Sequence, residues 1–265
     1  MKKLLIIASV LLFCCMMINR SMAHDLKIPQ NENESYGYLD SPKQPWSEFR
    51  VHEPDRTPYP EKIGVVPLET FPVPPADAKI LFDGSNLDQW KETQWKIVDG
   101  TVECTTGALR TKDEFGDYQF HLEWKSPANF EGDWGNQGNN GLLLMGVYEI
   151  QIFDSYSIRT YADGMAGSIY GQTPPLVNAS VPPGNWQSYD VFFKAPVYDG
   201  ENLVEPPRVT ILQNGILVQN NQVIYGATTH FNLPGPHPKS EKGPIVLSGH
   251  GCPVQFRNIW IRESK

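Results

Sequence analysis

The chain has 265 residues, with 22 Lys and Arg against 30 Asp and Glu, a net charge of −8, 40% hydrophobic and 11% aromatic residues, and 4 cysteines. That length and apolar fraction suffice for a single sizeable core. The acidic balance, with no cluster of Lys and Arg, excludes a nucleic-acid partner, because phosphate backbones are held by grouped cations.

Taken in order, the chain opens with Met1-Lys2-Lys3, an apolar run from Leu4 to Ile18, and Ser21-Met22-Ala23 with small residues at the two positions a signal peptidase inspects. This is the pattern of a secretory signal peptide over residues 1–23, and its apolar stretch is too short for a transmembrane span. Export to the periplasm or cell surface is expected. A competing reading anchors a lipoprotein through Cys14, but bulky Phe13 stands where a small residue is required. Removing Lys2, Lys3 and Arg20 takes the 22 basic residues to 19 against 30 acidic, a net charge of −11, which with the many Trp and Tyr suits a neutral carbohydrate. Cys104 and Cys252 then remain, and an oxidising compartment leaves two outcomes open: a disulfide or two separately buried thiols.

Residues 24–77 hold 10 prolines with interspersed Tyr36, Tyr38, Trp46, Phe49 and Tyr59, and no helical or strand period. An extended Pro-rich arm is predicted, either with part of it lying against the domain that follows or as a flexible export linker. From Ala78 onward, short apolar runs alternate with turn signals to Arg262. The expected strands are 79–82, 95–98, 101–105, 108–110, 118–125, 140–144, 148–153, 188–194, 208–213, 216–220, 244–248 and 255–262. Asp99-Gly100 and Asn214-Gly215 sit between alternating runs and predict tight hairpins. The expected fold is an all-β sandwich or barrel over residues 78–265.

In the strand 118–125, Phe120, Leu122 and Trp124 alternate with His121, Glu123 and Lys125. His121 beside Glu123 is either a proton-transfer or metal-sharing pair, or a solvated face with a salt bridge. No compact His or Cys spacing supports a metal. The Gly- and Asn-rich loop 129–141 carries Trp134, suited to stacking on a sugar face or to covering the core. The central strand Tyr148-Glu149-Ile150-Gln151-Ile152-Phe153-Asp154 places Glu149 and Gln151 on one face. A bulge near Phe153 would re-aim Asp154 toward them, giving two carboxylates and an amide in a row, as acid/base chemistry on a sugar requires. The alternative is an ordinary half-solvated strand. Farther on, Tyr170 can point over the same face, and His250, between two glycines, either presents an uncrowded imidazole or caps a neighbouring strand from a tight turn.

Several ordered blocks carry a resemblance: Ile80-Leu81-Phe82-Asp83-Gly84, Leu87-Asp88-Gln89-Trp90, Asn140-Gly141, Tyr148-Glu149-Ile150-Gln151, Gly167-Ser168-Ile169-Tyr170-Gly171, Trp186, Asn214-Gly215, His250-Gly251 and Phe256-Arg257-Asn258-Ile259-Trp260. Together they resemble the 3-keto-disaccharide hydrolase domain family of exported bacterial proteins. The resemblance implies a concanavalin A-like jelly roll of two antiparallel sheets, and action on glycosides already oxidised at C3 by a separate sugar 3-dehydrogenase. Glu149-x-Gln151-x-x-Asp154 is also similar in layout to the Glu-x-Asp-x-x-Glu strand of glucanases sharing that architecture, with an amide at the middle position and a shortened last acid.

The reading that follows is an exported hydrolase or lyase that cleaves a 3-keto-glycoside by elimination and hydration. Glu149, with Asp154 or His250 as its complement, is the expected catalytic set. Gln151, Tyr170, Glu123, His121, Trp134 and Asn140 are expected to bind substrate, and a divalent metal is left as an open cofactor. A non-catalytic sugar-binding module and a conventional glucanase are the alternatives.

Overall fold

The computed structural model describes residues 24–67 and 73–264. The expected signal peptide and Cys14 lie outside the described residues. Apolar runs closed by turn residues become strands throughout. In the arm, β1 (Leu26–Lys27) pairs with β2 (Gly37–Tyr38). There follow β3 (Lys79–Phe82), β4 (Lys96–Val98), β5 (Thr101–Glu103), β6 (Thr106–Arg110), β7 (Tyr118–Lys125), β8 (Asn140–Leu144) and β9 (Tyr148–Ile152). The remainder are β10 (Gln187–Lys194), β11 (Val197–Asp199), β12 (Asn202–Glu205), β13 (Arg208–Gln213), β14 (Ile216–Val223), β15 (Val246–His250) and β16 (Gln255–Glu263). Both expected hairpins form, with Asp99 and Gly100 at φ 49° and 73° and Asn214 and Gly215 at 53° and 78°. Positive φ at both central residues matches the turn's twist to that of its strands.

An eight-stranded sheet runs β14-β13-β10-β7-β16-β5-β4, with β3 also paired to β16, and faces a four-stranded sheet in the order β6-β15-β8-β9. This is the jelly-roll sandwich of antiparallel sheets expected from the sequence. Between β10 and β13, β11 and β12 fold into a separate two-stranded hairpin. The large sheet turns Phe120, Leu122, Trp124, Tyr189 and Val191 inward, and the small sheet answers with Leu142, Leu144, Tyr148, Ile150 and Ile152. Each such side chain, fully removed from water, stabilises the fold by about 1.5–3 kcal/mol. Tyr189 crosses the core and donates its hydroxyl to the Gln151 carbonyl at 2.7 Å, fastening β9 to the opposite sheet.

Cys104 and Cys252 are free and buried, so the open alternative resolves as two thiols. Burial pushes them up to about 12 and about 11, respectively, which leaves both protonated and unreactive. Among the described residues, no helix is long and apolar enough to cross a membrane. Residues of the Pro-rich arm lie against the sandwich: Tyr59 donates to the Thr160 carbonyl at 2.7 Å, Gln44 Nε2 to the Gly171 carbonyl at 2.9 Å, and Trp46 stacks on Tyr225 with centroids 4.2 Å apart.

Candidate active site

The alternation of β9 builds the site. Tyr148, Ile150 and Ile152 are fully buried in the core, while Glu149, Gln151 and, one step beyond the strand, Phe153 line a cleft of about 430 Å³ on the outer face of the small sheet. β8 lies beside it in unbroken register, Gly141 opposite Gln151 and Leu143 opposite Glu149. Next in the sheet is β15, with Ser248 opposite Gly141. A Cβ at Gly141 would overlap Glu149 Oε1 and come within 2.7 Å of Ser248 Oγ. The bare α-carbon is therefore the floor on which the carboxylate rests.

Glu149 is pushed up to about 7 by burial. Among the described residues, no side chain hydrogen-bonds its carboxylate, so nothing offsets the cost of desolvating the charge. Proton affinity near neutrality suits a group that must both take and return a proton. Among the described residues, Glu149 is the only carboxylate that lines the cleft.

The free edge of β9 is covered by the segment that carries the next wall. Gln151 donates its backbone N–H to the Ser168 carbonyl, Tyr170 donates to the Glu149 carbonyl, both at 3.0 Å, and Thr228 Oγ1 accepts from the Glu149 N–H at 2.9 Å. This ladder seats the Tyr170 ring beside Glu149. Its hydroxyl lies 2.8 Å from the Tyr161 hydroxyl and 2.9 Å from His230 Nδ1. Burial raises the Tyr170 phenol and lowers His230 to about 4, so both are neutral at physiological pH. His250, at the end of β15, reaches the cleft, and partial burial lowers its imidazole. Gln151 Oε1 is buried without a hydrogen-bond partner among the described residues, an acceptor available to a sugar hydroxyl. Trp134 and Asn139 stand on the rim.

The structure thus brings together Glu149, Gln151, Tyr170, Trp134 and His250 of the expected residues, and places the other four elsewhere. Asp154 is the first correction. β9 keeps its register without a bulge, and Asp154 Oδ1 accepts the Tyr156 and Ser157 N–H groups at 3.2 and 3.1 Å, capping a turn. Asn140 is the second: it pairs with Ile152, on the core-facing set of β8, is fully buried, and leaves the rim to Asn139.

His121 and Glu123 are the third. They lie on the face of the large sheet away from its core, within a network of charged and polar side chains. His121 Nδ1 lies 2.8 Å from Asp190 Oδ1, and Arg257 Nε and Asn258 Nδ2 each donate to Glu123 at 2.6 Å. Burial alone would lower His121, but Asp190 and Glu123 outweigh it and raise its pKa; burial would raise Glu123, but His121, Asn258 and Arg257 hold it down. Among the described residues, no three His, Cys, Asp or Glu side chains converge to hold a metal ion, so the residues present do not fit the divalent ion left open.

Sequence reasoning missed Tyr38, Phe153, Tyr161, Thr228 and His230, which also line the cleft. Phe153 was within reach, since it continues the alternation of Glu149 and Gln151 once no bulge intervenes.

An aromatic-walled cleft of this size on a β-sandwich, floored by a carboxyl group poised near neutrality, is the candidate ligand site of this domain. Residues 77–262 match the 3-keto-alpha-glucoside-1,2-lyase-like domain family, and the chain belongs to that family. It is similar to the crystal structure of a putative glycosyl hydrolase from Parabacteroides distasonis ATCC 8503, with 37% identity and a TM-score of 0.68, over 74% of this chain and 94% of that one. A second crystal structure of a putative glycosyl hydrolase from the same organism, 19% identical with a TM-score of 0.54 over 71% of this chain and 94% of that one, shares the fold. No curated protein matches the chain.

Proposed function

We propose that this protein cleaves a 3-keto-glycoside or 3-keto-disaccharide by acid/base-assisted elimination, with hydration of the product completing a net hydrolysis. The observation that supports it most is the solitary Glu149, lifted to about 7 by burial on the floor of the cleft. A keto group at C3 acidifies the hydrogen at C2. Glu149 takes that proton, the electron pair forms an enolate, and expulsion of the C1 oxygen gives the unsaturated ketone; the protonated carboxyl then supplies the proton the leaving oxygen needs. The Tyr170 phenol and the Gln151 amide hydrogen-bond the enolate and the ring hydroxyls. His250, a neutral imidazole, assists water in the return addition.

A retaining glucanase needs a second carboxylate about 5–5.5 Å from the first. With Asp154 turned into its cap, the lining residues supply none, which disfavours the glucanase reading. The substrate implies a sugar 3-dehydrogenase acting upstream, and the leader-like residues 1–23 favour export of this protein.

The test incubates the protein with a disaccharide and its 3-keto counterpart and follows released sugar, with Glu149→Gln alongside. Cleavage confined to the keto compound and abolished by the substitution is expected. Equal cleavage of both sugars would overturn the elimination, and binding of both without cleavage would make the domain a lectin-like module.

A further inference from the structure

The matched family region begins at residue 77, yet one residue lining the cleft, Tyr38, comes from the arm that precedes it. Around Tyr38 the arm forms a strap. At one end Tyr36 stacks flat on Trp134, with centroids 4.0 Å apart and planes 6° from parallel, while its N–H donates to the Arg159 carbonyl at 3.1 Å. At the other, Tyr38 packs edge-on against His230 and Phe231, with centroids 5.8 and 5.3 Å apart, and His24 stacks on Phe231 at 3.4 Å. Between these contacts the Tyr38 ring lies 6.2 Å from that of Tyr161.

The strap therefore joins the rim carrying Trp134 to the rim carrying His230. Its placement is built in. The Tyr38 N–H donates to the His52 carbonyl at 2.8 Å, and the His52 N–H donates to Asp163 Oδ2 at 3.0 Å, on the segment below Tyr161. At Gly37 a Cβ would come within 2.7 Å of the His52 carbonyl oxygen, so only glycine lets the strap lie this close to its anchor.

We propose that residues 36–38 close one end of the cleft, so that it admits the terminal ring of a small glycoside and rejects a chain that continues past Tyr38. Tyr38 is then a specificity-determining residue whose ring receives the terminal sugar, and Tyr36 a positioning residue that acts through Trp134. The inference deepens the reading of the cleft as a glycoside site and rests on it.

The experiment measures binding on the Glu149→Gln protein, by calorimetry, so that it does not depend on turnover. The probes are a 3-keto-disaccharide and the same compound extended by one sugar at either end. One extension is expected to be tolerated and the other to bind at least about tenfold more weakly, the scale of losing aromatic stacking to a clash. In Tyr38→Ala that penalty should fall to within about twofold, while the disaccharide itself binds about tenfold more weakly. In an otherwise wild-type background, Tyr36→Ala should raise KM more than it lowers kcat, and Tyr36→Phe, which keeps the stack, should restore both. Equal tolerance of both extensions, or a penalty that persists in Tyr38→Ala, overturns the strap. Tight binding with no turnover by the wild type overturns the elimination alone, whereas no binding of any probe removes the glycoside reading and this inference together.

Discussion

Gly141 and Glu149 are diagonal neighbours on β8 and β9, and the side chain the first lacks is the space the carboxylate of the second occupies. Ser248 faces the same gap from β15. Gly141→Ala should therefore expel the Glu149 carboxyl from its seat. The expected outcome is a fall in kcat/KM of at least about a hundredfold, with a stability cost of about 1–3 kcal/mol for overpacking. Steady-state kinetics with thermal unfolding as a control checks it, and near-normal turnover in a folded Gly141→Ala would count against Glu149 as the base.

The proton on Glu149 ties activity and stability to pH in opposite senses. As a base it works deprotonated, so kcat/KM should rise with pH through about 7 and level off above it. Its folded pKa is raised, so the stability it contributes is present in full below about 4.5 and is lost as pH rises through about 7, a change of at most about 3 kcal/mol. Denaturant titrations of the wild type and Glu149→Gln between pH 5 and pH 8 should diverge, the wild type losing stability relative to the variant. Parallel curves would show that burial does not hold the proton.

Tyr170 bridges Tyr161 and His230 through its hydroxyl. Tyr170→Phe keeps the ring and removes the hydroxyl proposed to stabilise the enolate. A loss in kcat of about a hundredfold is expected, with KM changing much less, because a donor to developing negative charge matters most in the transition state. A change confined to KM would make Tyr170 a binding contact only.

Glu123 is buried against His121, Arg257 and Asn258, far from the cleft chemistry it was first expected to serve. Glu123→Ala strands the cations around it and should destabilise the fold by about 3–5 kcal/mol. At a temperature where the variant is still folded, kcat should match the wild type. Loss of kcat without loss of stability would return Glu123 to the active site.

What the chain determines by itself is whatever rests on neighbours in sequence. The alternation of 148–153 and of 118–125, and the positive-φ turns at Asp99-Gly100 and Asn214-Gly215, follow from local backbone geometry, and each appears in the fold. Glu149 and Gln151 share the cleft face for the same reason. Strand pairing and long-range packing decided the rest. Asn140 turns into the core because its register sets it opposite Ile152, where a shift of one residue would have reversed its face. Asp154 looked like a second catalytic acid until the end of β9 made it the cap of a turn. His121 and Glu123 read either as a reactive pair or as a salt-bridged face, and Asp190 and Arg257, far along the chain, decide for the ion pairs. Tyr38 and His230 carry no local sign of belonging to a site; they meet because the arm crosses one end of the cleft, and contact between residues so far apart in the chain leaves no trace in the pattern around either.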